Sequence, residues 1–171
     1  MSGSHMSEVY LQESGTDKTK AGRPQGEQEA IRKAMNLLLY RSRSERELRD
    51  RLLQAEFSEE ATETAIAYVK SFGYVNDARF AEQYCISESG RKSRACLRME
   101  LQKKGIADDL ISCALDALET DESELVAALL EKRYGQPHRM DEAEQRKAYG
   151  YLGRRGFSAS VIRTALRTYQ A

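Results

Sequence analysis

"RSERELRDRLLQAEFS", Arg43–Ser58, decides the fold, because the phrase returns as "KSRACLRMELQKKGIA", Lys92–Ala107, and as "EAEQRKAYGYLGRRGFS", Glu142–Ser158. In the first copy Ser44 and Glu47 have the spacing of a capping box, Leu48 and Leu52 share one helical face, and Ser58 follows as the cap of a second helix. A shift of 49 residues lays Leu48, Leu52, Phe57, Ala61, Ile66 and Val69 on Leu97, Leu101, Ile106, Leu110, Leu115 and Leu118. A further shift of 51 lays them on Ala148, Leu152, Phe157, Val161, Leu166 and Tyr169. Every one of these positions is apolar, at the spacing of two helices joined by a short turn.

The turns are marked as well. Gly105 and Gly156 precede Ile106 and Phe157, where a residue closing a helix often needs positive φ, and Ser58, Ala107 or Ser158 opens the next helix. The first copy has Glu56 in place of glycine, so its turn either differs or accepts a strain of roughly 1 kcal/mol. A third helix precedes each pair, predicted over 30–40, 78–87 and 125–134. Asp121 with Glu124 reads as a second capping box, Asn76 or Asp77 as a cap, and Gly73, Gly90 and Gly135 as helix ends. No alternating segment is long enough for a strand. The expected fold is all-α: a tandem array of three three-helix, helix-turn-helix-like repeats, elongated and curved, at 28–75, 76–120 and 121–171. The leading "MSGSHM" reads as a vector and protease-site remnant, and 1–27 as this remnant plus a disordered tail. Units of about 45 residues are marginal alone and are expected to share apolar contacts with their neighbours.

Charge balances overall: 27 basic against 27 acidic residues give a formal net charge of +0, so bulk charge selects neither nucleic acid nor membrane. Locally it does not balance. Residues 30–55, 88–104 and 132–155 hold seven, six and seven cations against three, two and three acids, placing +4 on the middle of each unit. Acids in a first turn and bases in a last turn are also ordinary helix chemistry. Repetition argues for more: Arg49 and Arg98 are equivalent, as are Arg46 and Arg146, and Lys103 with Lys104 matches Arg154 with Arg155. Three basic helices at regular intervals suit a phosphate backbone or a repeating acidic protein surface. The acidic starts of the first two third-position helices disfavour base readout of the helix-turn-helix kind and leave phosphate contacts open.

Catalysis has little to work with. Outside the leader the only histidine is His138, in a predicted loop without a nucleophile at an interpretable spacing, and no glycine-rich phosphate-binding motif occurs. Cys85, Cys96 and Cys113 are odd in number and lack a C-x-x-C spacing, which reads as reduced thiols rather than a disulfide or zinc site. No run of eighteen apolar residues is present, and a cytoplasmic chain without cofactor or metal is expected. Tyr74, Phe80, Tyr84, Tyr149 and Tyr151 stack on bases if exposed and otherwise read as core.

"RSRSERELRDRL" (Arg41–Leu52), "GYVNDARFAEQY" (Gly73–Tyr84), "LRMELQKKGI" (Leu97–Ile106), "KRYG" (from Lys132) and "YLGRRGF" (Tyr151–Phe157) together resemble the RecX family, regulators of the bacterial recombinase RecA. The resemblance runs from about Ala30 to the C-terminus. Two departures concern loop geometry: the family usually has an acid at the position of Asn76 and a glycine near Ser93. The resemblance implies a non-enzymatic, three-helix-repeat modulator that binds in the groove of the RecA filament on single-stranded DNA. It implies suppression of ATP hydrolysis, strand exchange and coprotease activity. On this reading Arg46, Arg49, Arg98, Lys103, Lys104, Arg146, Lys147, Arg154 and Arg155 face acidic RecA surface or DNA phosphate, and the chain is expected to be a monomer. The competing readings are a stand-alone DNA-binding module and a helical scaffold for another partner.

Overall fold

The computed structural model describes residues 25–171, and among them the chain forms nine helices and no strand. In chain order they are α1 (Gln25–Tyr40), α2 (Glu45–Gln54), α3 (Glu59–Ser71), α4 (Asp77–Glu88), α5 (Arg94–Lys103), α6 (Asp108–Asp116), α7 (Glu122–Tyr134), α8 (Glu142–Gly153) and α9 (Ala159–Tyr169). Three successive helix triplets result, the tandem all-α arrangement expected. The predicted tail lies outside the described residues up to position 24, while 25–27 belong to α1. Helix α7 begins before its first apolar residue, because the Asp121 cap and not the apolar stripe sets where it starts.

The turn after each middle helix is the same hydrogen-bonded device three times. Phe57, Ile106 and Phe157 donate their N–H groups to the carbonyls of Leu52, Leu101 and Leu152 at 3.3, 3.1 and 3.4 Å. The residues before them, Glu56, Gly105 and Gly156, donate to Leu53, Gln102 and Gly153 at 2.9, 2.9 and 3.0 Å. This is the Schellman pattern, and it needs a left-handed residue at the centre: φ is 65° at Glu56, 78° at Gly105 and 84° at Gly156. The first turn therefore keeps the geometry and accepts the strain. Glu56 is exposed and makes no ion pair among the described residues, so nothing there repays it. Substituting glycine, E56G, is expected to stabilise the fold by about 1 kcal/mol, raising the thermal midpoint followed by circular dichroism by a few degrees. An unchanged or lower midpoint would show that Glu56 is not strained.

Caps fix the remaining boundaries. Ser44 and Glu47 form the predicted box, and Ser58 and Ser158 accept from Ala61 and Val161. Asn76 caps α4 through its Oδ1, 2.9 Å from the Arg79 N–H. Asp121 caps α7 but accepts from Ser123 at 2.7 Å, so the predicted box with Glu124 does not form. An unforeseen box, Asp141 with Glu144, starts α8 three residues ahead of the register of Ser44 and Ser93.

A second recurring bond joins one triplet to the next. Asp77 Oδ1, in the first turn of α4, accepts from the Glu45 N–H at 2.9 Å. Glu122 Oε1, in the first turn of α7, accepts from the Arg94 N–H at 2.8 Å. Glu45 and Arg94 are equivalent first residues of middle helices, whose N–H groups have no partner inside the helix. Each is thus capped by a carboxylate from the following triplet.

The chain divides into two compact units, 1–80 and 81–171. In the first, α1 packs Ala30, Ala34, Met35 and Leu38 against Leu48 and Leu52 of α2 and Ala65, Ile66 and Val69 of α3. In the second, Val126, Leu129 and Leu130 of α7 meet Ala148, Tyr151 and Leu152 of α8 and Ile162, Leu166 and Tyr169 of α9. Leu97, Leu101, Ile106 and Leu115 are also buried in this unit. Most of the repeated apolar set is core, with Phe57, Leu110, Leu118 and Val161 half-buried.

Candidate binding surface

The nine cations expected to face a partner separate into two groups. Four are engaged locally. Arg49 is bound on both sides: its Nε donates to Glu63 Oε1 at 2.6 Å and its Nη2 to Glu45 Oε1 at 3.0 Å. Lys70 joins the same cluster, 2.7 Å from Glu45 Oε2. The Glu63 bond is the main cause holding the Arg49 guanidinium above its ordinary value, against burial, and the Lys70 bond likewise holds the Glu45 carboxyl below its own. Arg98 donates from both Nη atoms to Ser112 Oγ at 3.3 Å. Lys104 lies over the Tyr84 ring at 5.6 Å, and Arg155 over the Tyr151 ring at 3.8 Å.

The other five are open. Lys103, Arg146, Lys147 and Arg154 are exposed and have no carboxylate partner among the described residues, and Arg46 has only a loose pairing to Asp50 at 4.0 Å. Arg46 and Arg146 are equivalent, as are Lys103 and Arg154. No close ion pair among the described residues holds any of these five.

Of the aromatic candidates, Tyr151 is core: buried, with Arg155 and Arg133 lying over its ring at 3.8 and 4.5 Å. Tyr84 donates to Glu100 Oε2 at 2.7 Å. Burial first, then this bond, pushes its hydroxyl up to about 12. Tyr149 alone among the five is exposed. Cys85 and Cys96 are buried free thiols, Cys113 is an exposed one, and the described residues hold no cluster of metal-ligating side chains. His138 sits edge-on to Tyr169 in the α7–α8 loop, with Nδ1 3.0 Å from the Gln136 carbonyl oxygen.

Known proteins share this triplet arrangement. Models of the first, second and third three-helix domains of RecX match residues 30–68, 76–115 and 119–166. The chain belongs to the RecX family. It is 34% identical over 142 residues to the regulatory protein RecX of Stenotrophomonas maltophilia, covering 82% of this chain and 87% of that one. The RecX of Xanthomonas axonopodis pv. citri is also 34% identical, over 149 residues, covering 86% and 92%. Among solved structures, RecX from Lactobacillus salivarius superposes with a TM-score of 0.66 at 27% identity, over 84% of this chain and 96% of that one. The family is one of regulatory proteins, and no helix among the described residues is long and apolar enough to cross a membrane.

Sequence reasoning missed three features of this chain. Asp77 reads in sequence as a possible cap of its own helix and Glu122 as one of several acids at the end of the second unit, yet each reaches back to the preceding triplet. Arg94 ties α5 to the end of α6, donating to the Leu115 and Leu118 carbonyls at 2.9 and 2.6 Å. Arg133, inside "KRYG", covers Tyr151 while Gly135 closes α7 at a φ of 83°. Only the last had a local signal, the glycine.

Proposed function

We propose that this RecX-family chain binds the RecA filament on single-stranded DNA, docks in its groove, and restrains its ATP hydrolysis, strand exchange and coprotease activity. What supports this reading most is the recurrence of open cations at equivalent middle-helix positions, Arg46 with Arg146 and Lys103 with Arg154. A filament repeats its surface, so a chain that repeats its own cations can make several modest contacts that combine through effective concentration. The surface these cations meet is acidic RecA protein or DNA phosphate. The chain acts without catalysis, as a monomer in the cytoplasm.

Titrating the chain into single-stranded-DNA-dependent ATP hydrolysis by RecA tests the reading. The expected result is a fall in rate at amounts well below one chain per RecA protomer. A rate unchanged past equimolar, with no binding to filaments in a sedimentation assay, would remove RecA as the target.

A further inference from the structure

The second triplet contains a closed ionic cluster whose counterpart in the first triplet is open. Lys92, the residue before the Ser93 cap, lies 3.0 Å from Glu88 Oε2 and 2.8 Å from Glu100 Oε2. The 49-residue shift carries Lys92 back onto Arg43, Glu88 onto Leu39 and Glu100 onto Arg51. The cation is kept, and both carboxylates are gone. One is replaced by an apolar side chain and the other by a second cation.

Arg43 is only 8% exposed, and no carboxylate among the described residues pairs with it. Its Nε donates weakly to the Leu37 carbonyl at 3.4 Å. The side chain lines an open groove of about 420 Å³ together with Arg41, Arg51, Glu47, Asp50 and Gln54. Neither acid there forms an ion pair with Arg43. Glu47 accepts from the Ser44 N–H at 3.2 Å and lies 3.6 Å from Arg41, and Asp50 lies 4.0 Å from Arg46. Burial, then the like charges of Arg41 and Arg51, push the Arg43 guanidinium below its ordinary value, with Glu47 opposing. An unpaired, largely buried cation is costly, and a guanidinium is relieved best by an oxyanion that fits its planar fork.

The second triplet indicates which oxyanion. There the equivalent cation is satisfied by carboxylates, so a carboxylate from outside supplies what the first triplet lacks. The surroundings favour protein over nucleic acid: Leu39, Tyr40 and Leu53 are exposed on the same helices, Tyr40 at 88%. Tyrosine and arginine are common anchors of protein interfaces. A polyphosphate backbone would gain nothing from Leu39 and Tyr40, and its several charges would be opposed by Glu47 and Asp50 more than the single charge of one carboxylate.

The geometry points to this groove as a docking site for an acidic segment of a partner protein. One Asp or Glu carboxylate sits between Arg43 and Arg51, and flanking apolar side chains lie on Leu39 and Tyr40. The site concerns the chemistry of the occupant and stands whether or not that partner is RecA.

Its test uses the full chain and three probes in fluorescence anisotropy: a short labelled peptide with a Glu-Glu-Leu core, its Gln-Gln-Leu counterpart, and oligo(dT). The wild type is expected to prefer the Glu peptide roughly tenfold or more, as for charge-assisted bonds to arginine. The double substitution L39E/R51E rebuilds the carboxylate pair of the second triplet around Arg43. It is expected to abolish that preference while helix content is kept and the thermal midpoint holds or rises. Should the double variant fail to fold, Arg51→Gln is the deciding variant, with a roughly tenfold loss of Glu-peptide affinity expected. No preference in the wild type, or a preference surviving in a folded variant, would overturn the proposal. So would displacement of the peptide by oligo(dT) with oligo(dT) binding itself lost in the variant, which would make the groove a phosphate site.

Discussion

Replacing Gly156 with alanine is expected to lower the thermal midpoint of the 81–171 unit by roughly 10 °C or more. Two separate costs combine. The residue stands at a φ of 84°, where an L side chain costs about 1–2 kcal/mol. The added Cβ would also lie 2.6 Å from both Cys96 Cβ and Ser93 Oγ and 3.2 Å from the Cys96 N. Those atoms belong to the start of α5, which is buried and held to the same turn by a 3.0 Å bond from the Ser93 N–H to the Arg155 carbonyl. Overpacking of this kind typically costs a further 1–3 kcal/mol.

Gly73 supplies the control. Its φ is 69°, but a Cβ there would meet nothing within 4 Å. Gly73→Ala should therefore cost only the conformational part, about 1–2 kcal/mol. Thermal melts of the two variants, followed by circular dichroism, separate strain from contact. Equal losses would mean that the turn at Gly156 shifts away from α5 without penalty.

Reversing the open cations together, as K103E/R146E/R154E, is expected to weaken filament binding roughly a hundredfold and to flatten its dependence on salt. Each exposed pair contributes at most about 1 kcal/mol, but reversal replaces attraction with repulsion at three points. Helix content should not change, because these side chains are exposed and give up no internal ion pair. Arg49 is a poorer probe of the same face. Its reversal would set a third acid between Glu45 and Glu63, so a loss of binding there would be mixed with a loss of fold. Unchanged affinity of the folded triple variant would show that another face meets the filament.

These outcomes weigh differently on what was legible beforehand. The triplets, the apolar register and the left-handed turns could be read directly, because each rests on residues within a few positions of one another. Leu48 and Leu52 share a face by helical period alone, and Gly105 and Gly156 advertise a backbone angle other residues avoid. The strained Glu56 was also visible, as the exception in an aligned column.

Charge was legible as a pattern but not as a set of partners. Arg49 and Arg98 align in sequence, and so do Glu63 and Ser112 on the third helices, yet one cation is held by two carboxylates and the other by a serine hydroxyl, because the partner positions carry different side chains. The same holds for Lys92 and Arg43, where the cation recurs and its surroundings do not. Periodicity along the chain therefore determined the helices and the core of this protein, with the caps at Ser44, Ser58 and Ser158. Which cations remain for a partner was decided by tertiary structure, since an ion pair forms between side chains within about 4 Å in space and the sequence orders only their distance along the chain.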